Sequence, residues 1–184
     1  FPTRRSSDLL AEIAKIYHAG FSPNLIEKPR PKKPLGKLLT NVVKMRALLV
    51  PASKETRIPK SVFEAIQTIN RNMVNTVEMQ IEAWWASRET HLILLNAPTL
   101  RRTQQMTEKT LHALSALALR GETDEVVANS HELTEITREL KQLIADAGSE
   151  RLEETPIYGY VWLSLELAKQ LERMTDLIRL ALRK

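Results

Sequence analysis

Apolar residues recur at three- and four-residue intervals along most of the chain, the spacing of amphipathic helices, and the breaks fall at glycine and proline. Leu9, Leu10, Ile13, Ile16 and Tyr17 define a first helix that stops at Gly20. Pro23, Pro29, Pro31 and Pro34 then predict a stiff linker over residues 20–34, because proline removes a donor and clashes with the preceding turn. A second stripe runs from Leu35 through Leu38, Leu39, Val42, Val43, Met45, Leu48 and Leu49 and is expected to end at Pro51. After Pro59 a third begins near Ser61 and continues without Gly or Pro through Val62, Phe63, Ile66, Ile69, Met73, Val74, Val77, Ile81, Trp84, Trp85, Leu92 and Leu95. This predicts one helix of about 35 residues, about 50 Å long at 1.5 Å per residue.

A fourth helix is expected over residues 100–120, closed by Gly121. A fifth, capped by Thr123 and carrying Leu133, Ile136, Leu140, Leu143 and Ile144, ends at Gly148 and forms an antiparallel hairpin with the fourth. Thr155 and Pro156 open the last helix, with Ile157, Val161, Leu165, Ala168, Leu171, Met174, Leu177, Ile178 and Leu182 on its apolar face. No strand is predicted. The fold class is all-α, an elongated bundle of about six helices in a single domain.

Composition agrees. The 184 residues are 43% hydrophobic and 27% charged, with five glycines and few aromatics, as in helical proteins with one core. The absence of cysteine fits a reducing compartment and excludes thiol catalysis and cysteine-ligated metals. Apolar runs of only a few residues fall far short of the roughly 20 needed to span a bilayer, so this piece is not expected to cross one. Charge changes the picture more. Residues 27–60 hold ten cations (Lys28, Arg30, Lys32, Lys33, Lys37, Lys44, Arg46, Lys54, Arg57, Lys60) and two anions (Glu27, Glu55), a local +8 within a chain of net +5. Such a block faces an anionic membrane leaflet, a nucleic acid or an acidic partner, or is simply solvated.

Catalytic patterns are sparse. There is no Gly-rich phosphate loop, no HExxH and no nucleophile elbow, so neither an enzyme nor a cofactor is expected. Glu108 with His112, and His131 with Glu135, are i,i+4 pairs that a hairpin turning near residue 121 would bring level. At 100° per residue both pairs fall away from the apolar stripes, which favours solvent-facing ion pairs over a metal site. His18 and His91 have no comparable partner. Trp84 and Trp85 point about 100° apart, so one packs inside while the other shields a groove or meets a partner. Pro29, Pro31 and Pro34 among basic residues suit a stiff charged linker as well as a polyproline ligand.

KMRALLVPASKETR (44–57), INRNMVNTVEMQIEAWW (69–85) and TPIYGYVWLSLELAKQLERMTDLIR (155–179) resemble the cytoplasmic helical region of the fusaric acid resistance (FUSC) family, which includes aromatic carboxylic acid efflux pumps. The matching features are Met45 and Arg46, Glu55 and Arg57, and Ile157 and Tyr158. The resemblance implies a cytoplasmic scaffold or oligomerisation module that follows a block of transmembrane helices in an inner-membrane exporter. Its partners would be that missing block of the same chain, the anionic membrane surface and further copies of itself. Lys28, Arg30, Lys32, Lys33 and Lys37 would then be membrane-proximal, in keeping with the positive-inside tendency. FPTRRSSDL, residues 1–9, resembles a translated sequencing adapter, so the native sequence is expected to start near Leu9 or Leu10 and the chain to be a fragment. The alternative reading is a metal-binding helical regulator of the PhoU type, on the likeness of Glu172, Arg173 and Asp176 to one ExxxD element. Nucleic-acid binding through residues 28–60 ranks third and is not an expected partnership.

Overall fold

The computed structural model describes residues 2–21, 32–86, 98–121, 138, 142 and 155–182. Its elements are α1 (Pro2–Gly20), α2 (Lys32–Met45), a 3-10 turn (Arg46–Leu48), α3 (Leu49–Thr56), α4 (Lys60–Trp84), α5 (Pro98–Arg120) and α6 (Thr155–Leu182). Among the described residues there is no strand.

Four helices make the core. α4 packs along α6 and α1 along α5, while α1–α4 and α5–α6 contacts close the ring. Hydrogen bonds give the directions. Ser7 meets Ser115 at 3.0 Å and His18 meets Glu108 at 3.1 Å, so α1 and α5 are antiparallel. Thr76 with Gln170 and Gln80 with Ser164 make α4 and α6 antiparallel. Because Trp85 also reaches Gly20, α1 and α4 run together, opposed to α5 and α6. α2 lies across α1 and α4, and α3 continues over α4. The apolar stripes read from the sequence supply the interior: Leu10, Ile13, Met73, Val77, Ile81, Val161, Leu165, Ala168 and Leu171 are all buried.

Three expectations are corrected. The helix expected to run about 35 residues is α4, with 25, and α6 with 28 is the longer of the two. α4 stops without Gly or Pro because Trp85 leaves the helical region at φ −100°, ψ 13°, and its indole N–H donates to the Gly20 carbonyl at 2.8 Å. A tertiary contact overrides the local pattern there. Second, α2 starts at Lys32, so Pro34 sits inside the helix rather than in the linker. In a first turn the backbone N–H has no helical acceptor, so proline forfeits nothing. Third, the expected second helix is two, α2 and α3, joined through the 3-10 turn. The chain runs through Pro51 for the same first-turn reason. The expected bundle of about six helices is therefore not matched element for element. The predicted fifth helix and its hairpin lie outside the described residues except for Arg138 and Gln142, both helical. The fourth and last helices fall where expected, and Gly121 takes the left-handed φ of +73° that a closing glycine permits.

Gly20 ends α1 for another reason. A Cβ there would sit 2.6 Å from the Cγ1 and Cδ1 atoms of Ile81, itself fully buried, so only glycine lets α1 approach α4 this closely. Gly20→Ala is expected to cost about 1–3 kcal/mol by overpacking. In an Ile81→Ala background that penalty should vanish, as urea unfolding of the double-mutant cycle will measure. The core also holds Asn70, fully buried on α4, with neither side-chain amide atom hydrogen-bonded. Asn70→Leu is expected to raise the unfolding free energy by about 1–2 kcal/mol, by removing an unsatisfied polar group. An unchanged or lower urea midpoint would count against that burial.

Candidate functional site

The basic block of the sequence becomes a surface strap formed by α2, the 3-10 turn and α3. Leu35, Leu38, Val42, Met45, Leu49 and Ala52 face the bundle and are buried, anchoring the strap. Gln67 of α4 donates to the Val42 carbonyl at 2.8 Å, tying it down at mid-length. The outer positions carry Lys37, Lys44, Arg46, Lys54 and Arg57, all exposed.

The strap ends in a tightly organised turn. The Ser53 hydroxyl donates to the Ile58 carbonyl at 2.7 Å, and the Thr56 hydroxyl donates to the Ala52 carbonyl while receiving the Ile58 N–H. Within it Arg57 adopts φ 59°, ψ 15°, among the described residues the one non-glycine with positive φ. This left-handed conformation usually takes glycine or asparagine, and the Cβ of an arginine makes it costly. Strain of this kind persists where the surrounding structure over-determines it, and it often marks a functional position. Arg57→Gly is therefore expected to stabilise the fold by about 0.5–1 kcal/mol, strain relief being partly offset by glycine's backbone entropy. A fall in the thermal midpoint would show that the arginine side chain holds the turn.

Of the five residues expected to be membrane-proximal, Lys28 and Arg30 lie outside the described residues. Lys32 and Lys33 occupy the first turn of α2. Lys37 is exposed and lines a groove of about 400 Å³ between α1 and α2, shared with the cations Arg5 and Lys44 and the anions Asp8 and Glu12. Asp8 belongs to the FPTRRSSDL segment; Glu12 does not. Among the described residues Lys37, Lys44, Arg46, Lys54 and Arg57 have no carboxylate within 4 Å, whereas Lys60 pairs with Glu64 at 2.8 Å. Val43 and Val50 stand among these cations at 65% and 47% exposure. The sequence reading placed Val43 in the core stripe. Within α2 it lies about 120° from the centre of the face formed by Leu35, Leu38, Val42 and Met45, so it points outward.

The other candidates separate differently. His18, expected to lack a partner, sits 3.1 Å from a carboxylate oxygen of Glu108 across α1 and α5. His112 is exposed, and His131 and Glu135 lie outside the described residues. Glu172 is half-buried, with Arg173 and Asp176 exposed on the outer face of α6. Among the described residues no three His, Asp or Glu side chains gather in a way that could hold a metal ion. Trp84 is fully buried in an aromatic cluster with Tyr17, Phe21 and Tyr160, whose ring centroids lie 4.6–5.7 Å apart. Gln104 donates to the Tyr160 hydroxyl at 2.7 Å. The Tyr17 hydroxyl faces Thr107 and Tyr160 without a well-formed hydrogen bond. Burial pushes both phenols above their ordinary value, so they stay neutral. Trp85, a candidate partner contact by sequence, is half-buried and committed to Gly20. Among the described residues the exposed aromatics are instead Tyr158 and Trp162, one turn apart on α6.

Among the described residues no helix is long and apolar enough to cross a membrane. No protein-family model matches the chain, and no solved structure matches it. The chain is 51% identical over 175 residues, 95% of its length, to the inner membrane protein YeeA of Escherichia coli K12. It spans about half the length of that relative.

Proposed function

We propose that this chain is the helical cytoplasmic domain of an inner-membrane efflux transporter of the FUSC type, exporting aromatic or other organic acids. One observation carries the reading: half of an inner membrane protein matches nearly the whole chain at 51% identity. The features behind the FUSC resemblance add to it. Met45, Arg46, Glu55 and Arg57 fall on the strap and its strained turn, while Ile157 and Tyr158 fall at the start of α6. Transport belongs to the membrane-embedded part of the parent protein. The bundle serves beneath it as a scaffold, with the exposed face of α6 around Tyr158 and Trp162 free to meet another copy.

Two measurements on the parent gene test this. A green fluorescent protein fused after Lys184 should fluoresce, and alkaline phosphatase at the same place should be inactive; the reverse pattern would put the bundle on the wrong side. Deleting the gene should lower the inhibitory concentration of aromatic carboxylic acids, with plasmid-borne rescue. Unchanged tolerance across a panel of such acids would remove the export reading.

A further inference from the structure

We propose that the α2–α3 strap is a lipid-docking surface. It lies flat on the anionic face of a bilayer, with Arg46, Lys54 and Arg57 on headgroup phosphates and Val43 and Val50 entering the headgroup–acyl boundary. This deepens the reading above by naming the partner of the strap, and it rests on the bundle lying beside a membrane.

The chemistry of the strap selects this occupant. A solvated basic helix face has no need of large apolar groups at its outermost positions, yet Val43 and Val50 are the exposed aliphatic side chains of the strap. Cations flanking exposed apolar residues on a segment lying along a protein surface are what interfacial binding requires. The apolar groups gain burial, and the cations gain attraction to anionic lipid. A polyanion such as nucleic acid would reward the charges but not the valines. The charge is also unspent: among the described residues Arg46, Lys54 and Arg57 have no carboxylate within 4 Å. Glu55 is the single anion between Lys32 and Lys60, so the surface stays net positive.

Arg57 adds an independent argument. Glycine at φ 59° would close the helix at lower cost, but the turn holds an arginine there, with hydrogen bonds from Ser53 and Thr56 fixing its backbone. The residue itself is exposed. Guanidinium is the side chain best suited to grip phosphate oxygens in pairs. The buried anchors from Leu35 to Ala52 and the Gln67 to Val42 bond make the strap rigid, so docking orders little that is not already ordered.

The test uses the 184-residue chain and sedimentation with vesicles of phosphatidylcholine alone or mixed equally with phosphatidylglycerol. Binding is expected to the anionic vesicles and to fall steeply with salt. Each cation at a surface is worth about 1 kcal/mol, so Arg57→Gly should weaken binding about fivefold while stabilising the fold. Arg46→Ser, Lys54→Ser and Arg57→Ser together should weaken it by about two orders of magnitude. Lys109→Ser on α5 should leave it unchanged. Because the chain has no cysteine, Val50→Cys carrying an environment-sensitive dye reports one position cleanly. Its emission should shift to the blue on anionic vesicles. No binding to anionic vesicles, or binding that blue-shifts a dye at Trp162→Cys and not at Val50→Cys, overturns the proposal. Neither result touches the export reading, which stands or falls on acid tolerance and on the fusions at Lys184.

Discussion

The approach of α1 to α4 at Gly20 and Ile81 is the constraint on which the other parts of the bundle depend. α1 with α5 and α4 with α6 are two extensively packed antiparallel pairs, each able to bury one apolar stripe but not to close a core alone. They join where their aromatic residues meet. Gly20 offers a surface without a Cβ, Ile81 fills it, and Trp85 clamps the junction by donating to the Gly20 carbonyl. That contact also sets where α4 ends. Phe21, one residue beyond the clamp, stacks edge-on against Tyr17, Trp84 and Tyr160, contributing from the C-terminal end of α1 to a cluster shared with α4 and α6. Large rings with limited rotamer freedom are well suited to such a junction, because they bury much area at little entropic cost.

Polar groups inside the bundle give the pairs a register that apolar stripes alone leave loose. Gln80 with Ser164 and Thr76 with Gln170 lie one turn apart on α4 and bind partners one to two turns apart on α6, so sliding either helix by a turn would break both contacts. Asn70 sits in the same helix with its side-chain amide unbonded and contributes the opposite, a local cost. With the interior fixed in this way, α2 and α3 need only a narrow apolar edge to stay attached. Their outer face is then available for charge and for exposed valines.

Much of this was legible in the sequence, and the failures have physical causes. Periodicity located α1, α5 and α6 and nearly all their core residues, because a helix buries every third or fourth side chain whatever its partner. It overran α4, since nothing in residues 85–95 breaks a helix and the contact that does so is 65 residues away in sequence. It read Pro34 and Pro51 as stops, although both occupy first turns where proline is harmless. At the candidate site the basic composition was visible, but it drew attention to Lys28, Arg30, Lys32, Lys33 and Lys37. Among the described residues Lys44, Arg46, Lys54 and Arg57 are, like Lys37, exposed cations without a carboxylate within 4 Å. The left-handed backbone of Arg57 closes α3, and an arginine gives no sequence signal for that conformation. The pairing of His18 with Glu108 needed the α1–α5 register, which local patterns cannot supply.

The bundle is proposed to present one particular face, the α2–α3 strap, to a membrane. The most direct test places a spin label at position 50 of the strap, or at the exposed position 79 of α4, in the full-length parent protein in inverted inner-membrane vesicles. Relaxation by oxygen is then compared with relaxation by a water-soluble nickel chelate. The label at position 50 is expected to favour oxygen, as a group within the lipid boundary does, and the label at 79 to favour nickel. Equal access of nickel to both positions would mean that the strap faces water and would contradict the account.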